Sequence, residues 1–448
     1  MMPSPALAHA TGRGFVLLLP TGHYMLGGAL AVAASFVVLL GVRGDRLSRL
    51  ASRRLAASDP LPDGRTAASW LSLLVLLALL AAGWLGSRDP LSNPLPLVVW
   101  ALFWIALPIL TGLFGNLFAW LDPWRGPASL LGRLEVSPPA WCLRLGYVPA
   151  ILQFLAFAWF QLVYPAPDDP AILASAVSAY WLANLSGVLA FGHAWWTSRC
   201  EPFSIFFAMI ARLAIVERRD GHILFGLPGA RLVSAPPLPL SGAFFLLLVL
   251  GTVSFDGLMQ TFAWMGAIGV NPLEFPGRSA VILPNSLGLL LIPSMLAAVF
   301  FLAVWAGQAL SADRVPFAAA AGLLAWSMAP IALVYHLAHY LVALLVEGQY
   351  ALVAISDPYA LGWNLFGTAH AYVSAGLVMG ADAAWILWNV QVAAIVGGHV
   401  IAVVLAHVLA ARLYPDPRAS VRAQLPLTIL MIAYTVFGLW LLSTPTGF

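Results

Sequence analysis

The feature that most constrains this chain is a series of apolar segments, each about 20 residues long, with few charges inside them. Hydrophobic residues make up 61% of the 448 residues and charged residues only 9%, so a water-soluble fold would expose too much apolar surface to stay dispersed. Because backbone N–H and C=O groups cannot remain unpaired in lipid, the apolar segments must be helical. The sequence therefore predicts an all-α, polytopic transmembrane helix bundle with the lipid bilayer as its partner.

We predict about ten spans within a single integral membrane domain that covers residues 1–448. Hydropathy places them at 22–42, 67–87, 96–118, 146–164, 171–192, 239–260, 286–308, 317–346, 383–411 and 425–443.

The distribution of arginine predicts the orientation of the spans. If the N-terminus and the C-terminus are both outside, only Arg13, Arg88 and Arg278 lie outside, and the other basic residues lie on the cytoplasmic side. The arginines are scattered among the loops, so this pattern indicates membrane topology and no nucleic-acid partner.

Two segments are predicted not to span the membrane. Residues 202–216 are apolar and lie between two predicted cytoplasmic stretches, which is typical of an interfacial helix on the cytoplasmic side. Residues 348–381 form a long stretch rich in glycine and aromatic residues, and we expect an outer loop that caps the bundle.

Ionisable side chains within the spans are the first candidates for chemistry, because each costs about 2.5 kcal/mol or more at the membrane centre. His336 and His339 are three residues apart, so they share a helix face and could hold one divalent metal ion. Asp256 could complete that metal site, orient one imidazole, act as a catalytic general base or simply reach outer water. Histidines hydrogen-bonded to neighbouring helices are the open alternative.

His399 is a fourth candidate metal ligand, near the middle of the ninth predicted span. The preceding Gly397 and Gly398 would let another helix or a flat cofactor approach closely, so haem ligation is an alternative. His407 lies two turns further on and is a weaker candidate.

Three more candidates lie on the predicted outer side, where Asp256, His336 and His339 are also expected. His370 is the second candidate catalytic residue, and His23 and Asp357 could join the same constellation. Two other histidines are predicted to be ordinary solvated residues on the cytoplasmic side: His193 and His222.

Several stretches resemble a family of bacterial polytopic membrane proteins labelled fenitrothion hydrolase, over most of the chain. These stretches are FAWFQLVYPAPDDP (157–170), VSFDG (253–257), VYHLAHYL (334–341), SDPYALGWNLFGTAHA (356–371), VGGHVIAVVLAH (396–407) and MIAYTVFGLWLL (431–442). The resemblance implies a multi-pass protein of the bacterial inner membrane that hydrolyses apolar organophosphorus esters. It carries over no catalytic residues.

The leading hypothesis is a membrane-embedded, metal-assisted hydrolase of an apolar small-molecule substrate. A metal ion on His336 and His339, with Asp256, would polarise the phosphoryl oxygen and lower the pKa of a bound water, and Asp256 or His370 would accept its proton. The alternatives are a haem- or metal-binding redox subunit and a transporter of a metal or small molecule. A membrane-protein partner or a homo-oligomer is left open.

Overall fold

The computed structural model describes residues 21–42, 44–51, 53–56, 62–219, 221–271, 274, 277–311 and 315–444. Helices dominate these residues, which confirms the prediction of an all-α bundle. Arg13, which enters the orientation argument, lies outside the described residues.

Nine helical segments of the described chain are long and apolar enough to cross a membrane. They are Thr21–Leu39, Arg65–Leu85, Pro94–Phe114, Pro170–Phe191, Leu240–Met259, Arg278–Ser311, Phe317–Ser356, Ala381–Leu413 and Pro417–Ser443. Each corresponds to one predicted span. The remaining predicted span, 146–164, is the 15-residue helix Val148–Leu162, whose length of about 22 Å falls short of a hydrocarbon core about 30 Å thick.

The α-helices are numbered here in chain order. They are α1 Thr21–Leu39, α2 Gly44–Ala51, α3 Arg65–Leu85, α4 Pro94–Leu97, α5 Leu107–Phe114, α6 Phe118–Leu121, α7 Arg125–Leu130, α8 Val148–Leu162, α9 Pro170–Phe191, α10 His193–Arg199, α11 Pro202–Ile210, α12 Ala230–Val233, α13 Leu240–Met259, α14 Phe262–Ala267, α15 Ile282–Ser311, α16 Phe317–Leu324, α17 Ala329–Ser356, α18 Ala381–Leu413 and α19 Pro417–Ser443.

Shorter elements connect or interrupt these helices. A π-helix, Val98–Ala106, joins α4 to α5. The 3₁₀ turns are Ala140–Leu145, Ala211–Leu213, Arg278–Val281, Ala325–Met328 and Ala375–Leu377. Three strands, β1 Leu55–Ala56, β2 Val216–Arg219 and β3 His222–Phe225, form a small antiparallel sheet in the order β1-β3-β2.

The helices pack in two groups around α13 and α17. In one group α15 packs on α13 and α19, α17 packs on α18, and α1 packs on α18 and α19. In the other group α3 packs on α4, α7 and α9, and the π-helix contacts α17. Helix α13 is central, since 15 of its 20 residues are buried, whereas 4 of the 19 residues of α1 are buried.

Residues 202–216, predicted as an interfacial helix, contain α11 followed by a 3₁₀ turn that ends at Leu213. The helix is almost wholly buried and packs against α5, α8 and α17. Its rings include Phe203 and Phe206, which contact the indole of Trp104 in the π-helix. The position of α11 relative to a membrane stays a prediction, but the helix lies inside the bundle.

The predicted outer loop 348–381 is shorter than expected, because α17 continues to Ser356. The residues after Ser356 are mostly exposed and fold back along the end of α17. Gln349 Nε2 donates to the backbone oxygen of Ser374 at 3.1 Å, and Thr368 Oγ1 donates to the backbone oxygen of Leu352 at 2.6 Å. Capping of an outer mouth by this segment stays a prediction.

Candidate functional site

A buried carboxylate between α13 and α17 is the centre of the candidate site. Asp256 Oδ2 accepts hydrogen bonds from His339 Nε2 at 3.0 Å and from the Tyr340 hydroxyl at 2.5 Å, and Oδ1 accepts from Gln260 Nε2 at 3.0 Å. Each of these donors is a side chain. A buried carboxylate is costly unless its oxygens are hydrogen-bonded, so this set of donors stabilises its charged form.

His339 and Asp256, named here the α17 pair, differ in accessibility. The side chain of His339 is 17% exposed, whereas that of Asp256 is 7% exposed. A Cβ added at Gly257 would lie 3.5 Å from Cε1 and 3.6 Å from Nδ1 of His339, in ordinary van der Waals contact. The missing side chain at Gly257 therefore leaves space beside Nδ1, the nitrogen that does not face Asp256.

Tyr340 links the α17 pair to a third helix. Gln161 Nε2 of α8 donates to the Tyr340 hydroxyl at 3.4 Å. The backbone oxygen of Gln161 accepts from Arg278 Nη1 at 3.0 Å, which connects the 3₁₀ turn before α15 to the same place. Since α8, α13, α17 and this turn all contribute to the network, the carboxylate is held by the tertiary packing of the bundle.

His336, predicted to share a metal ion with His339, has a different partner. Its Nε2 donates to the backbone oxygen of Trp104 at 2.7 Å, and its ring packs edge-on against the Trp104 indole. Pro108 has no N–H to offer this carbonyl four residues before it, and the intervening π stretch bonds Leu107 N to the oxygen of Leu102, five residues back. The structure thus gives the alternative outcome for His336, a histidine hydrogen-bonded to a neighbouring helix.

The residues of this site do not fit a metal centre with three protein ligands. Over the described part of the chain, no group of three or more His, Cys, Asp or Glu side chains could hold a metal ion. The Nε2 atoms of His336 and His339 are engaged by a backbone oxygen and by Asp256. Metal ligation by His336, His339, Asp256 and His399 stays a prediction.

His399 lies in a second buried polar group further along the bundle. It is fully buried, its Nδ1 donates to the backbone oxygen of Ile395 at 2.8 Å, and its Nε2 has no hydrogen-bond partner. Its ring lies 6.2 Å from that of Tyr434, whose hydroxyl is hydrogen-bonded to Ser254 Oγ. The Tyr335 ring lies 5.7 Å from that of Tyr434, and its hydroxyl also lacks a partner.

The glycines before His399 serve different purposes. A Cβ at Gly398 would overlap the side chain of Val334, so Gly398 allows α17 and α18 to pack closely. A Cβ at Gly397 would meet nothing within 4 Å. The close neighbour at Gly398 is therefore helix α17. Haem ligation by His399 stays a prediction.

The four remaining candidate residues do not contact the α17 pair. His407 Nε2 donates to the backbone oxygen of Val42 at 2.9 Å and so holds α18 against the turn after α1. His23 is exposed in the first turn of α1, and His370 is exposed in the segment after α17. Asp357 accepts from the backbone N–H groups of Leu361 and Gly362, which closes a local turn.

The prediction that His193 is a solvated residue is wrong. His193 is 8% exposed, and its Nε2 donates to Asp122 Oδ2 at 2.6 Å. We name these two residues the α10 pair. No local pattern indicates this pair, because the two residues lie 71 positions apart and meet only through tertiary packing. His222, predicted in the same way, is half-buried in β3.

Two partners of Asp256 were also missed, although a local signal existed for both. Gln260 is one helical turn after Asp256, and Tyr340 is next to His339 in the sequence.

Fold and site together define a polytopic helical membrane protein with an acid–base pair buried in its bundle. A scan against protein-family models, a search of the curated proteins and a search of the solved structures each found no match. The resemblance to fenitrothion hydrolases therefore stays a prediction.

Proposed function

We propose that this protein is a membrane-embedded hydrolase of apolar organophosphorus esters in which the α17 pair is the general base. One observation carries the proposal: Asp256 fixes His339 through Nε2, and Tyr340 and Gln260 hold the carboxylate in turn. The substrate class comes from the family resemblance, and an apolar ester would reach such a site from the surrounding lipid.

The chemistry follows from the hydrogen bond between His339 and Asp256. Because the carboxylate accepts from Nε2–H, neutral His339 carries its lone pair on Nδ1. Nδ1 removes a proton from a water molecule as the water oxygen bonds to phosphorus, and Asp256 stabilises the imidazolium that forms. The ester oxygen then leaves with its bonding electrons and takes the proton from His339, which gives an alcohol and a phosphorus acid.

The direct test measures release of a coloured nitrophenolate from an aryl dialkyl phosphorothioate by the purified protein in detergent. We expect His339→Gln to lower kcat/KM by about 10²- to 10⁴-fold, because a positioned general base contributes that much. His222→Gln, on strand β3 of the small sheet and opposite Arg219, is the matched control with unchanged rate. Lack of turnover by the wild-type protein, or equal rates for the two variants, would overturn the proposal.

A second candidate function is proton-coupled transport, which the polar group around His399 favours. Ser254 and Tyr434 are hydrogen-bonded to each other, and the buried His399 Nε2 and Tyr335 hydroxyl have no partner. Histidine and carboxylate side chains within membrane spans commonly form proton relays. In this case Asp256 would bind and release a transported proton.

Vesicles that contain a pH-sensitive dye separate the two functions. Transport requires proton uptake by wild-type vesicles and its loss in both Asp256→Asn and His399→Leu. Hydrolysis requires ester turnover that survives His399→Leu, since His399 does not touch the α17 pair. Absence of proton uptake in wild-type vesicles would rule out the transport function.

A further inference from the structure

Helix α2 lies close to one end of the first span and is strongly amphipathic. It follows α1 after the short turn between Leu39 and Gly44, so it must lie at the membrane surface wherever α1 crosses. Leu47 and Ala51 pack against the core of the bundle. Arg46 and Arg49 are exposed. One side of α2 is thus fixed to the protein, and the other side faces outwards.

Contacts at both ends hold α2 in place. His407 Nε2 donates to the backbone oxygen of Val42, just before the helix, and a Cβ at Gly44 would overlap Ala411 of α18. After the helix, Arg54 Nε lies 3.4 Å from Glu217 Oε2 on β2. The outward side of α2 therefore has a fixed direction.

Three arginines gather on that outward side. Arg46 and Arg49 lie three residues apart on one side of α2, and Arg53 follows shortly after the helix ends at Ala51. Together with Leu50 they line a cavity of about 320 Å³. Leu50 is 49% exposed beside these arginines, so the same surface offers both charge and an apolar side chain, as interfacial helices at lipid surfaces do.

The cavity has the charge of an anion site. Its lining consists of the guanidinium groups of Arg46, Arg49 and Arg53 and the side chain of Leu50. Guanidinium groups hydrogen-bond phosphate oxygens in pairs, with defined geometry. Where α1 crosses a membrane, α2 would lie near the lipid phosphates and the exposed Leu50 near the acyl chains.

We propose that Arg46, Arg49, Leu50 and Arg53, named here the arginine face, bind the phosphate of an anionic phospholipid, with Leu50 in contact with its acyl chains. This inference does not rest on the proposed function. It assigns α2 the task of binding one lipid class selectively at one end of the bundle.

Lipid binding by the purified protein tests the inference, with native mass spectrometry to count retained lipids. The probes are phosphatidylglycerol, phosphatidylcholine and inorganic phosphate. We expect wild-type protein to retain phosphatidylglycerol in preference to phosphatidylcholine. The triple variant Arg46→Gln, Arg49→Gln, Arg53→Gln should bind phosphatidylglycerol at least tenfold more weakly.

A charge-matched triple variant supplies the control. Arg133→Gln, Arg144→Gln and Arg422→Gln remove the same charge from exposed positions outside the arginine face, and binding should change less than twofold. Equal losses in the two triple variants would overturn the inference, and so would complete displacement of the lipid by millimolar inorganic phosphate. If the first triple variant does not fold, Arg46→Gln alone should still weaken binding measurably, and unchanged binding would contradict the proposal.

Discussion

Two buried His–Asp pairs lie in different parts of this bundle, and their surroundings differ more than their own geometry does. The α17 pair has an Nε2–Oδ2 distance of 3.0 Å, and the α10 pair has one of 2.6 Å. Both aspartate side chains are 7% exposed. Neither separation nor burial of the carboxylate therefore distinguishes a candidate acid–base site from a structural contact.

The partners of the two carboxylates do distinguish them. In the α10 pair, Asp122 Oδ1 accepts from the backbone N–H of Trp124, and the Asp122 backbone oxygen accepts from Ser69 Oγ. These bonds fix the chain between α6 and α7. The carboxylate of Asp256 instead accepts from side chains of α13 and α17, and Gly257 leaves space beside the imidazole. Backbone hydrogen bonds thus tie Asp122 into the connection between two helices, whereas the bonds to the Asp256 carboxylate come from side chains.

The largest expected effect comes from exchanging each carboxylate for an amide. Asp256→Asn should lower ester hydrolysis by about 10²- to 10⁴-fold, because the imidazole loses its charged partner. Asp122→Asn should leave the rate per folded molecule within about threefold of wild type, well below the effect of a catalytic group. Nitrophenolate release, normalised to folded protein, checks both values. A comparable loss of rate in both variants would erase the distinction between the pairs.

The stability of the α10 pair gives the converse prediction. Asp122→Ala should lower the free energy of unfolding by about 3 kcal/mol or more, because His193 stays buried without its partner. The exposed Asp63, which pairs with Arg65 at 2.7 Å, is the control, and Asp63→Ala should cost about 1 kcal/mol or less. Denaturant titration in detergent measures both. Similar values for the two variants would show that the α10 pair is not structural.

Filling the space beside His339 should produce a smaller effect on rate. Gly257→Ala should lower kcat/KM about tenfold, equivalent to about 1.4 kcal/mol, because the new methyl group contacts Nδ1. Stability should not fall, since alanine is favoured over glycine within a helix by up to about 1 kcal/mol. Gly348→Ala in α17, where a Cβ approaches nothing closer than 4.0 Å, is the matched control. Full activity of Gly257→Ala would place the reactive nitrogen elsewhere.

The smallest effect concerns access to the region of the α10 pair. Cys200, which directly follows α10, is 1% exposed, and burial raises the pKa of its thiol to about 12. Since the thiolate is the reactive species, a maleimide at pH 7.5 should leave Cys200 unmodified in the wild-type protein. Labelling should appear in Asp122→Ala as local opening increases. Peptide mass spectrometry distinguishes Cys200 from Cys142, and rapid labelling of wild-type Cys200 would contradict this prediction.

Hydrophobicity was enough to predict the bundle, because each span is a local property of about 20 consecutive residues. The free-energy cost of an ionisable side chain in lipid was enough to name Asp256 and His339 among the candidate residues. Their pairing with each other, rather than with a metal ion and His336, was not predictable, since it depends on how α13 and α17 pack. The α10 pair was missed for the same reason. The extension of α17 to Ser356 was missed because hydropathy falls at Glu347 before the helix ends.

Pro108 bears on another span. It removes the N–H that a regular α-helix would pair with the Trp104 oxygen, and that oxygen, which can only accept, takes the hydrogen bond of His336. Neutral His336 must therefore adopt the Nε2–H tautomer, with a bare and unpartnered Nδ1 enclosed in the bundle. A backbone oxygen of the third span thus sets the tautomer of His336 on α17, one turn away from His339.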